Sequence, residues 1–243
     1  MSSILEVKNL CKKYPAFLLD HVSFSVEQGS IMGLIGRNGA GKTTTMKSML
    51  DLVHPDEGEV LFFGESMTEK DNSVRQKIGY ASGANQFYIH KKIRDVTAMT
   101  RTFYANWSDT EYQKYIKMFG LDENKKLMEL SEGMKVKYSL TTALSHHAEL
   151  LILDEPTSGL DPVSREELLE IFQYLAKQGT AILFSTHITT DLEKCADAIT
   201  YIQNGCVIAS KSYQNFLKDY PQQHSLEDIM VHLERKPMQF DQE

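Results

Sequence analysis

A glycine-rich run from Gly36 to Thr43, with the sequence GRNGAGKT, carries the strongest chemical signal in this chain. It matches the pattern GxxxxGK[ST], in which backbone N–H groups turn inward and surround the oxygens of a bound phosphate. Lys42 is then expected to reach the β- and γ-phosphates of a nucleotide, while Thr43 offers its hydroxyl to Mg²⁺. The predicted nucleotide-contacting residues of this run are Gly36, Arg37, Asn38, Gly39, Ala40, Gly41, Lys42, Thr43 and Thr44.

Two adjacent acids follow a second apolar run later in the chain. Residues 150–153 read LLIL and precede Asp154 and Glu155, which is the pattern of a strand that delivers carboxylates to the carboxyl edge of a sheet. Asp154 is expected to orient the Mg²⁺ shell, and Glu155 to act as a general base toward an attacking water. Combined with the phosphate loop, these acids predict a site that binds and hydrolyses a nucleotide.

The elements that must position these residues are strands and helices in the first and last thirds of the chain. Residues 31–35 are nearly all apolar, which is typical of a strand covered on both faces, and a helical pattern over 42–52 follows the glycine-rich run. The middle, residues 94–147, has a helical pattern, with Ser108 and Glu111 spaced as a capping box. The other predicted strands are residues 4–7, 22–26, 59–63, 77–81, 149–153 and 181–185, with a hairpin of 198–203 and 206–210 around Asn204 and Gly205. The other predicted helices include residues 168–175, residues 190–196 and a helix capped by Ser225 and Asp228.

Composition excludes several classes of protein. The chain has 243 residues, is 42% hydrophobic and 24% charged, and carries a formal net charge of −7. These fractions exclude a fully disordered chain, and the acidic balance argues against nucleic acid as the main partner. No run approaches the ~18 apolar residues of a membrane helix, and no signal peptide is evident, so we expect a cytoplasmic chain without direct membrane insertion. Cys11, Cys195 and Cys206 fit neither a zinc-binding spacing nor a disulfide framework.

Further motifs follow the order and spacing of one known family. Leu130–Met134, with the sequence LSEGM, resembles the LSGGQ signature of ABC ATPases. Ser158–Asp161 resembles their D-loop, and Ser185–His187 resembles the segment that carries their switch histidine. Tyr14 lies where that family has an aromatic residue that stacks on adenine. The resemblance covers about residues 3–220 and points to the stand-alone ATP-binding subunits of bacterial ABC transporters, in particular of exporters.

The resemblance implies an α/β fold. The expected architecture is a P-loop NTPase core of mostly parallel sheet, with an N-terminal antiparallel β subdomain and an inserted α-helical subdomain. A single ABC ATPase domain would cover residues 1–235, with the nucleotide-binding core at 1–85 and 148–220 and the helical subdomain at 86–147. A C-terminal helix and tail would cover residues 221–243.

The resemblance also implies a mechanism in which two ATP-binding subunits sandwich two ATP molecules. Ser131 and Gly133 of one subunit would contact the γ-phosphate of the ATP held by the other, which would be a second copy of the chain or a paralogue. A separate transmembrane subunit would convert this motion into transport, and the resemblance implies export, with the chain peripheral to the inner face of the cell membrane. The implied cofactor-binding residues outside the phosphate loop are Tyr14, Ser131, Gly133 and Asp161, the catalytic residues are Lys42, Glu155 and His187, and the Mg²⁺ ligands are Thr43 and Asp154.

The chain departs from the family pattern at two places. Glu132 and Met134 replace the first glycine and the glutamine of the signature. A negative charge at Glu132, near phosphate, is expected to weaken ATP-driven dimerisation. Gly83 stands where the family usually carries glutamine or glutamate, and Gln86 is an alternative for the same Mg²⁺- and water-coordinating role.

Two segments and two rival functions remain as alternatives. Residues 87–89 either border the groove that receives a helix of the membrane subunit or pack in the core, and His146 and His147 are expected on a solvated turn. A soluble ABC ATPase of translation or DNA repair is the alternative function, but such proteins usually have two ATPase modules, a long coiled-coil insertion or zinc-binding cysteines. A non-catalytic nucleotide-binding regulator is the third, and the presence of Lys42, Asp154, Glu155 and His187 argues against it.

Overall fold

Two β-sheets organise the chain, as seen in a computed structural model that describes residues 3–67, 72–82 and 88–235. The first sheet is antiparallel and contains β1 (Ser3–Tyr14), β2 (Phe17–Glu27), β4 (Glu57–Phe62) and β5 (Glu65–Ser66), in the order β2-β1-β4-β5. The predicted strands at 4–7 and 22–26 are therefore confirmed, but both strands are longer than predicted. The second half of β1 is more polar and does not read as a strand, and its pairing with β2 as far as Tyr14–Phe17 keeps that half extended.

The second sheet is mostly parallel and forms the central layer. Its strands are β3 (Ile31–Ile35), β6 (Ile78–Ser82), β7 (Leu150–Asp154), β8 (Ala181–Thr186), β9 (Ala198–Gln203) and β10 (Cys206–Ser212). The order is β10-β9-β3-β8-β7-β6, in which only the β9–β10 hairpin is antiparallel. Every residue of β3, β7 and β8 is buried, which explains their nearly unbroken apolar sequences. The α/β fold class predicted from the sequence is confirmed.

Helices cover the parallel sheet and form the middle of the chain. Their bounds are α1 (Lys42–Met49), α2 (Ser73–Gln76), α3 (Ile93–Thr100), α4 (Asp109–Met118), α5 (Glu132–Ser145), α6 (Pro162–Lys177), α7 (Thr189–Cys195), α8 (Tyr213–Lys218) and α9 (Leu226–Glu234). Short 3₁₀ turns lie at Arg101–Phe103 and Leu127–Glu129. Among the described residues, no helix combines the length and the apolar character needed to cross a bilayer.

Two apolar clusters make up the core. One lies between the two sheets and includes Leu5, Met46 and Phe62, all fully buried. The other joins the parallel sheet to the helices on its opposite face and includes Phe172 and Phe184. Because each face of the parallel sheet packs against one cluster, the carboxyl ends of its strands are held rigidly along one edge.

The helix caps predicted at Ser108 and Ser225 are confirmed in part. Ser108 caps α4 by accepting a hydrogen bond from the Glu111 N–H at 3.2 Å. The reciprocal half of the predicted box is not formed, because the Ser108 N–H donates to the Ser145 carbonyl oxygen at 2.7 Å, while the Glu111 carboxylate accepts from Lys114. Ser225 caps α9 in the same way, by accepting from the Asp228 N–H at 3.0 Å.

The prediction for His146 is wrong. Its side chain does not lie on a solvated turn but is 3% exposed, stacked on the Tyr104 ring with centroids 3.7 Å apart. His146 Nδ1 lies 2.9 Å from the Gln76 carbonyl oxygen. His147, the next residue, is exposed and has a left-handed backbone with φ of 59°. Two adjacent histidines in a sequence do not indicate that one of the two side chains is buried against an aromatic ring.

Candidate nucleotide-binding site

The glycine-rich run forms a tight loop between β3 and α1. At Gly36 an added Cβ would lie 2.2 Å from the Ile202 carbonyl oxygen of β9, so only glycine fits against that neighbouring strand. Gly41 has φ of 114°, a conformation that residues with a Cβ rarely adopt, and it leads directly into the first turn of α1. The loop therefore presents backbone N–H groups and the N-terminal end of a helix at the carboxyl edge of the sheet, an arrangement suited to an anion.

Lys42 holds a positive charge inside this loop. Its side chain is 5% exposed, and Nζ donates a 2.7 Å hydrogen bond to the Gly36 carbonyl oxygen. Nζ also lies 3.2 Å from Glu155 Oε1. A buried ammonium group needs such partners, because burying it unpaired is costly. The charge is consequently fixed where the phosphate chain of a nucleotide would lie.

Asp154 and Glu155 stand at the carboxyl end of β7, as the sequence predicts. Asp154 is 6% exposed, and its Oδ1 accepts hydrogen bonds from Thr43 Oγ1 at 3.1 Å and from Ser185 Oγ at 2.6 Å. Ser185 Oγ in turn accepts from the Glu155 N–H at 2.9 Å. One hydroxyl on β8 thus fixes both acids, and this positioning role of Ser185 is absent from the sequence analysis. Only the pairing register of β7 and β8 reveals this role, since it places Ser185 directly opposite Asp154.

Glu155 has a strained backbone that directs its carboxylate toward two other site residues. Its φ of 52° falls in the left-handed region, which is uncommon for a residue with a Cβ. Glu155 Oε2 lies 2.8 Å from His187 Nδ1, and the other oxygen faces Lys42. Strain of this kind persists where surrounding contacts impose it, and it is common at functional sites. The geometry suits a carboxylate that accepts a proton while a neighbouring imidazole orients it.

Lys42, Glu155 and His187 line one pocket of about 670 Å³ at the surface. Tyr14 lies on its wall, 40% exposed, close to the turn that joins β1 to β2. The pocket is lined by Tyr14, Ala16, Phe17, Arg37, Asn38, Gly39, Gly41, Lys42, Thr43, Thr44, Glu155, Ser158 and His187. The structure therefore brings together most of the predicted loop residues and the predicted catalytic residues. Ala16, Phe17 and Ser158 were not predicted to line it, although Phe17 follows Tyr14 closely across the turn.

Comparison with known proteins decides the family. A family model described as "ABC transporter" matches residues 19–158, which is more than half of the chain. The chain belongs to the ABC transporter family. In that family it is an ATP-binding subunit with ATPase activity, as the resemblance of its motifs implied, and the alternative in translation or DNA repair is not supported.

Several ABC proteins resemble the chain over most of its length. It is 33% identical over 222 residues to the bacitracin transport ATP-binding protein BcrA of Bacillus licheniformis, covering 90% of this chain and 72% of BcrA. It is 32% identical to the lantibiotic transport ATP-binding protein SrtF of Streptococcus pyogenes, covering 86% of this chain and 91% of SrtF. Among solved structures, an ATP-binding subunit of an ABC transporter superposes with a TM-score of 0.85 at 29% identity, covering 96% of this chain and all of that one.

The signature segment of this ABC subunit does not line the pocket, although Glu132 lines a smaller neighbouring pocket with Asp154 and Glu155. Ser131 caps α5 by accepting from the Met134 N–H at 3.3 Å, and neither it nor Gly133 lines the pocket described above. The Glu132 carboxylate, whose charge was expected to oppose phosphate, is 2.7 Å from Lys135 Nζ. This ion pair offsets part of the repulsion expected from the sequence.

Four other predicted residues of the ABC subunit also lie outside the pocket lining: Asp154, which lines a smaller neighbouring pocket, Asp161, Gly36 and Ala40. Asp161 caps α6, and its hydrogen bond from the Ser164 hydroxyl, followed by those from backbone N–H groups, lowers the pKa of its carboxyl below the usual range. The carbonyl oxygens of Gly36 and Ala40 accept hydrogen bonds from Lys42 and from the Gly205 N–H respectively. Gly36 and Ala40 therefore shape the loop rather than line the pocket.

A charged pair with one buried partner connects α6 and α7. Asp191 of α7, four residues after His187, is 1% exposed, and its Oδ1 is 3.9 Å from Arg165 Nε of α6. Arg165 Nη2 also donates to the Leu160 carbonyl oxygen at 3.3 Å. Burial raises the pKa of the Asp191 carboxyl, and the Arg165 charge opposes part of that shift. The pair joins the loop before α6 to the helix that follows the predicted switch histidine.

Some of the departures from the ABC pattern fall outside what the structure describes. Gly83, Gln86 and Phe87 lie between residues 82 and 88, outside the described part of the chain. Of the predicted docking segment, Tyr88 is exposed over 58% of its surface and Ile89 is partly buried. The alternatives for the coordinating residue, Gly83 or Gln86, therefore stay predictions.

Proposed function

We propose that the chain hydrolyses Mg²⁺-ATP in a sandwich of two ATP-binding subunits and thereby drives a separate membrane subunit of an exporter. The observation that carries the proposal is the Glu155 carboxylate, which lies 3.2 Å from Lys42 Nζ on one side and 2.8 Å from His187 Nδ1 on the other. These three groups meet at the phosphate loop, so proton acceptance and phosphate recognition take place at a single point.

The side chains of the site have distinct roles in the proposed reaction. Glu155 accepts a proton from the water that attacks the γ-phosphorus, and His187 orients that carboxylate and stabilises charge that grows on the γ-phosphate. Lys42 binds the β- and γ-phosphates electrostatically. Tyr14 stacks on the adenine ring, and Asp161 contributes to the interface with the second subunit. Positioned groups of this kind stabilise the transition state more than the bound substrate.

The oxygen atoms near the loop suit Mg²⁺. Thr43 Oγ1 and Asp154 Oδ1 are 3.1 Å apart, and hydroxyl and carboxylate oxygens are the hard donors that Mg²⁺ prefers. These two residues would hold the ion, Thr43 directly and Asp154 through its shell. When bound, the ion neutralises charge on the β- and γ-phosphates.

A second subunit is proposed because the signature residues do not reach this chain's own pocket. Ser131 caps a 14-residue helix, α5, whose N-terminal N–H groups can donate hydrogen bonds to an anion. Neither Ser131 nor Gly133 lines the pocket. An ATP bridging two subunits would be contacted by the loop of one and by the start of α5 of the other. Closure would then depend on ATP, and hydrolysis would release it.

Export is proposed from the named relatives. BcrA and SrtF are named for the transport of bacitracin and of a lantibiotic, and another relative, 33% identical over 211 residues, is a Nod factor export protein of Burkholderia lata. We infer a separate transmembrane subunit and a location at the cytoplasmic face of the membrane. Purification of the tagged chain from detergent-solubilised membranes should recover a protein with several membrane spans. Recovery of ribosomal or DNA-repair proteins instead would contradict the exporter proposal.

The ATP sandwich is tested with Glu155→Gln. Glutamine keeps the size of the side chain but cannot accept the proton, so ATP should bind without being hydrolysed. Light scattering with Mg²⁺-ATP should then move from 27.7 kDa toward twice that mass, because a ligand that bridges the dimer stabilises it by mass action. ADP is the control ligand, and Ser131→Ala in the same background should weaken dimerisation. A variant that binds ATP yet stays monomeric at all concentrations would contradict self-pairing and favour a paralogue.

A further inference from the structure

A β-bulge in the antiparallel sheet gathers three different metal-ligand side chains. Leu10 pairs with Val22 and Lys12 pairs with Leu19, so one residue of β1, Cys11, lies opposite two residues of β2, Asp20 and His21. Such two-against-one bulges redirect side chains and are common beside functional sites. The candidate donor atoms at this bulge are the Cys11 sulfur, an Asp20 carboxylate oxygen and a His21 ring nitrogen, which all lie within 4.8 Å of one another.

We propose that this bulge is a binding site for a zinc-like divalent transition metal. Thiolate, imidazole and carboxylate are the ligand types that Zn²⁺ takes in proteins, and three of them leave a fourth tetrahedral position for water. A thiolate and a carboxylate also balance the two positive charges of the ion. A purely oxygen-based set would favour Mg²⁺ or Ca²⁺ instead, so the sulfur and nitrogen donors are what select a softer ion.

Cys11 is the buried member of the cluster. The residue is 8% exposed, and its sulfur accepts a hydrogen bond from the His21 N–H at 3.3 Å. The thiol also donates to the Asn9 carbonyl oxygen at 3.4 Å, and a metal ion would displace that thiol proton on binding. His21 makes its contact with the sulfur from a left-handed backbone, φ 48°, which a histidine adopts more readily than most residues. The bulge thus aligns the backbone donor and the ring of one residue with the same sulfur.

Asp20 and His21 are placed for binding at the outer side of the cluster. Cys11 is buried, Asp20 is partly buried and His21 is exposed, so an ion would enter from solvent and end against the sulfur. His21 Nδ1 and Asp20 Oδ1 are 2.5 Å apart. Ligand atoms on one ion stand further apart than 2.5 Å, so one of these two side chains must rotate slightly on binding.

The sequence did not indicate this site, because the cysteine spacings alone contain no zinc motif. Two of the donors come from a different strand and only the bulge aligns them with Cys11. The cluster lies near the turn of the β1–β2 hairpin, close to Tyr14 and Phe17, which line the nucleotide pocket. A bound ion would link the two strands just before that turn.

Metal titration of the whole reduced chain tests the proposal. Excess Mg²⁺ is present so that sites made of oxygen ligands are already occupied. Zn²⁺ is then titrated into the protein as the first probe. One equivalent of Zn²⁺ should bind, and its affinity should fall at least tenfold in Cys11→Ser and in His21→Asn. Asparagine is chosen because it tolerates a positive φ. With Co²⁺ as the probe, the wild type should show a thiolate-to-metal absorption band that Cys11→Ser lacks.

The chain supplies matched controls. His54 Nδ1 lies 3.0 Å from Asp51 Oδ1, which makes an exposed histidine–aspartate pair. Among the described residues, this pair belongs to no cluster of three potential metal ligands. His54→Asn and Cys195→Ser should therefore leave Zn²⁺ affinity unchanged. Metal-free thermal unfolding checks that each variant is folded, and Asp20→Asn replaces any variant that is not. Binding without saturation at one equivalent, an affinity unaffected by Cys11→Ser, or the absence of a sulfur band with Co²⁺ would overturn the proposal.

Discussion

Replacing Ser185 with alanine tests how the two acids of the site are held. Ser185 Oγ donates a 2.6 Å hydrogen bond to the buried Asp154 carboxylate and accepts the Glu155 N–H at 2.9 Å. Alanine removes both bonds while changing little else, because the side chain is fully buried and small. The variant therefore isolates one hydroxyl that holds both acids without itself lining the pocket.

The expected loss of stability follows from these two bonds. A hydrogen bond to a charged group contributes roughly 1.5–3 kcal/mol, and a buried N–H left without a partner costs roughly 1–3 kcal/mol. The two effects share one atom and are not additive, so we expect the free energy of unfolding to fall by about 2–4 kcal/mol. For a domain of this size each kcal/mol corresponds to roughly 2–4 °C in Tm.

The effect on activity should fall on kcat. Glu155 keeps its carboxylate, but its backbone, held at φ 52°, loses the contact with Ser185 that restrains it. A small displacement of a catalytic group can cost up to about 100-fold in rate, and we expect a loss of about tenfold or more. Affinity for ATP should change little, because Lys42 and the loop N–H groups are untouched.

The assay pairs denaturant unfolding with steady-state ATP hydrolysis and a binding titration. Ser145→Ala is the matched control, because Ser145 is equally buried but its hydroxyl donates only to the Thr141 carbonyl oxygen within α5. That variant should lose at most about 1.5 kcal/mol and keep its kcat. Equal stability and kcat in Ser185→Ala and wild type would refute the role assigned to this hydroxyl.

Three further predictions address single groups. Lys42→Ala should abolish ATP binding or reduce it by more than tenfold while circular dichroism stays native, and wild-type turnover in the folded variant would contradict the phosphate-loop assignment. His187→Ala should lower kcat by about 100-fold or more with little change in the Kd for ATP, and a raised Kd with unchanged kcat would place the residue in ground-state binding instead. Asp191, whose folded pKa is raised by burial, binds a proton more tightly when folded, so wild-type stability should fall as pH rises from the unfolded pKa of about 3.9 through the folded pKa. Urea unfolding should therefore show Asp191→Asn gaining stability relative to wild type across that window, and a constant difference would refute the shift.

Local sequence determined the parts of this protein that depend on near neighbours in the chain. The pattern from Gly36 to Thr43 predicted a loop between a strand and a helix, because its glycines and lysine act within eight residues. Asn204 and Gly205 predicted the β9–β10 turn, and both have the positive φ values it requires. The capping serines Ser108 and Ser225 were equally readable, since each cap involves a residue three positions away.

Tertiary structure decided everything that depends on which strands lie side by side. Ser185 reaches Asp154 only because β8 pairs with β7 in one register, and a shift of one residue would turn its side chain to the other face. His146 is buried because Tyr104 and Gln76 arrive from distant segments. Cys11 meets Asp20 and His21 only through a bulge between two long strands. These contacts depend on strand order and register, which the whole core sets and no short window of sequence contains.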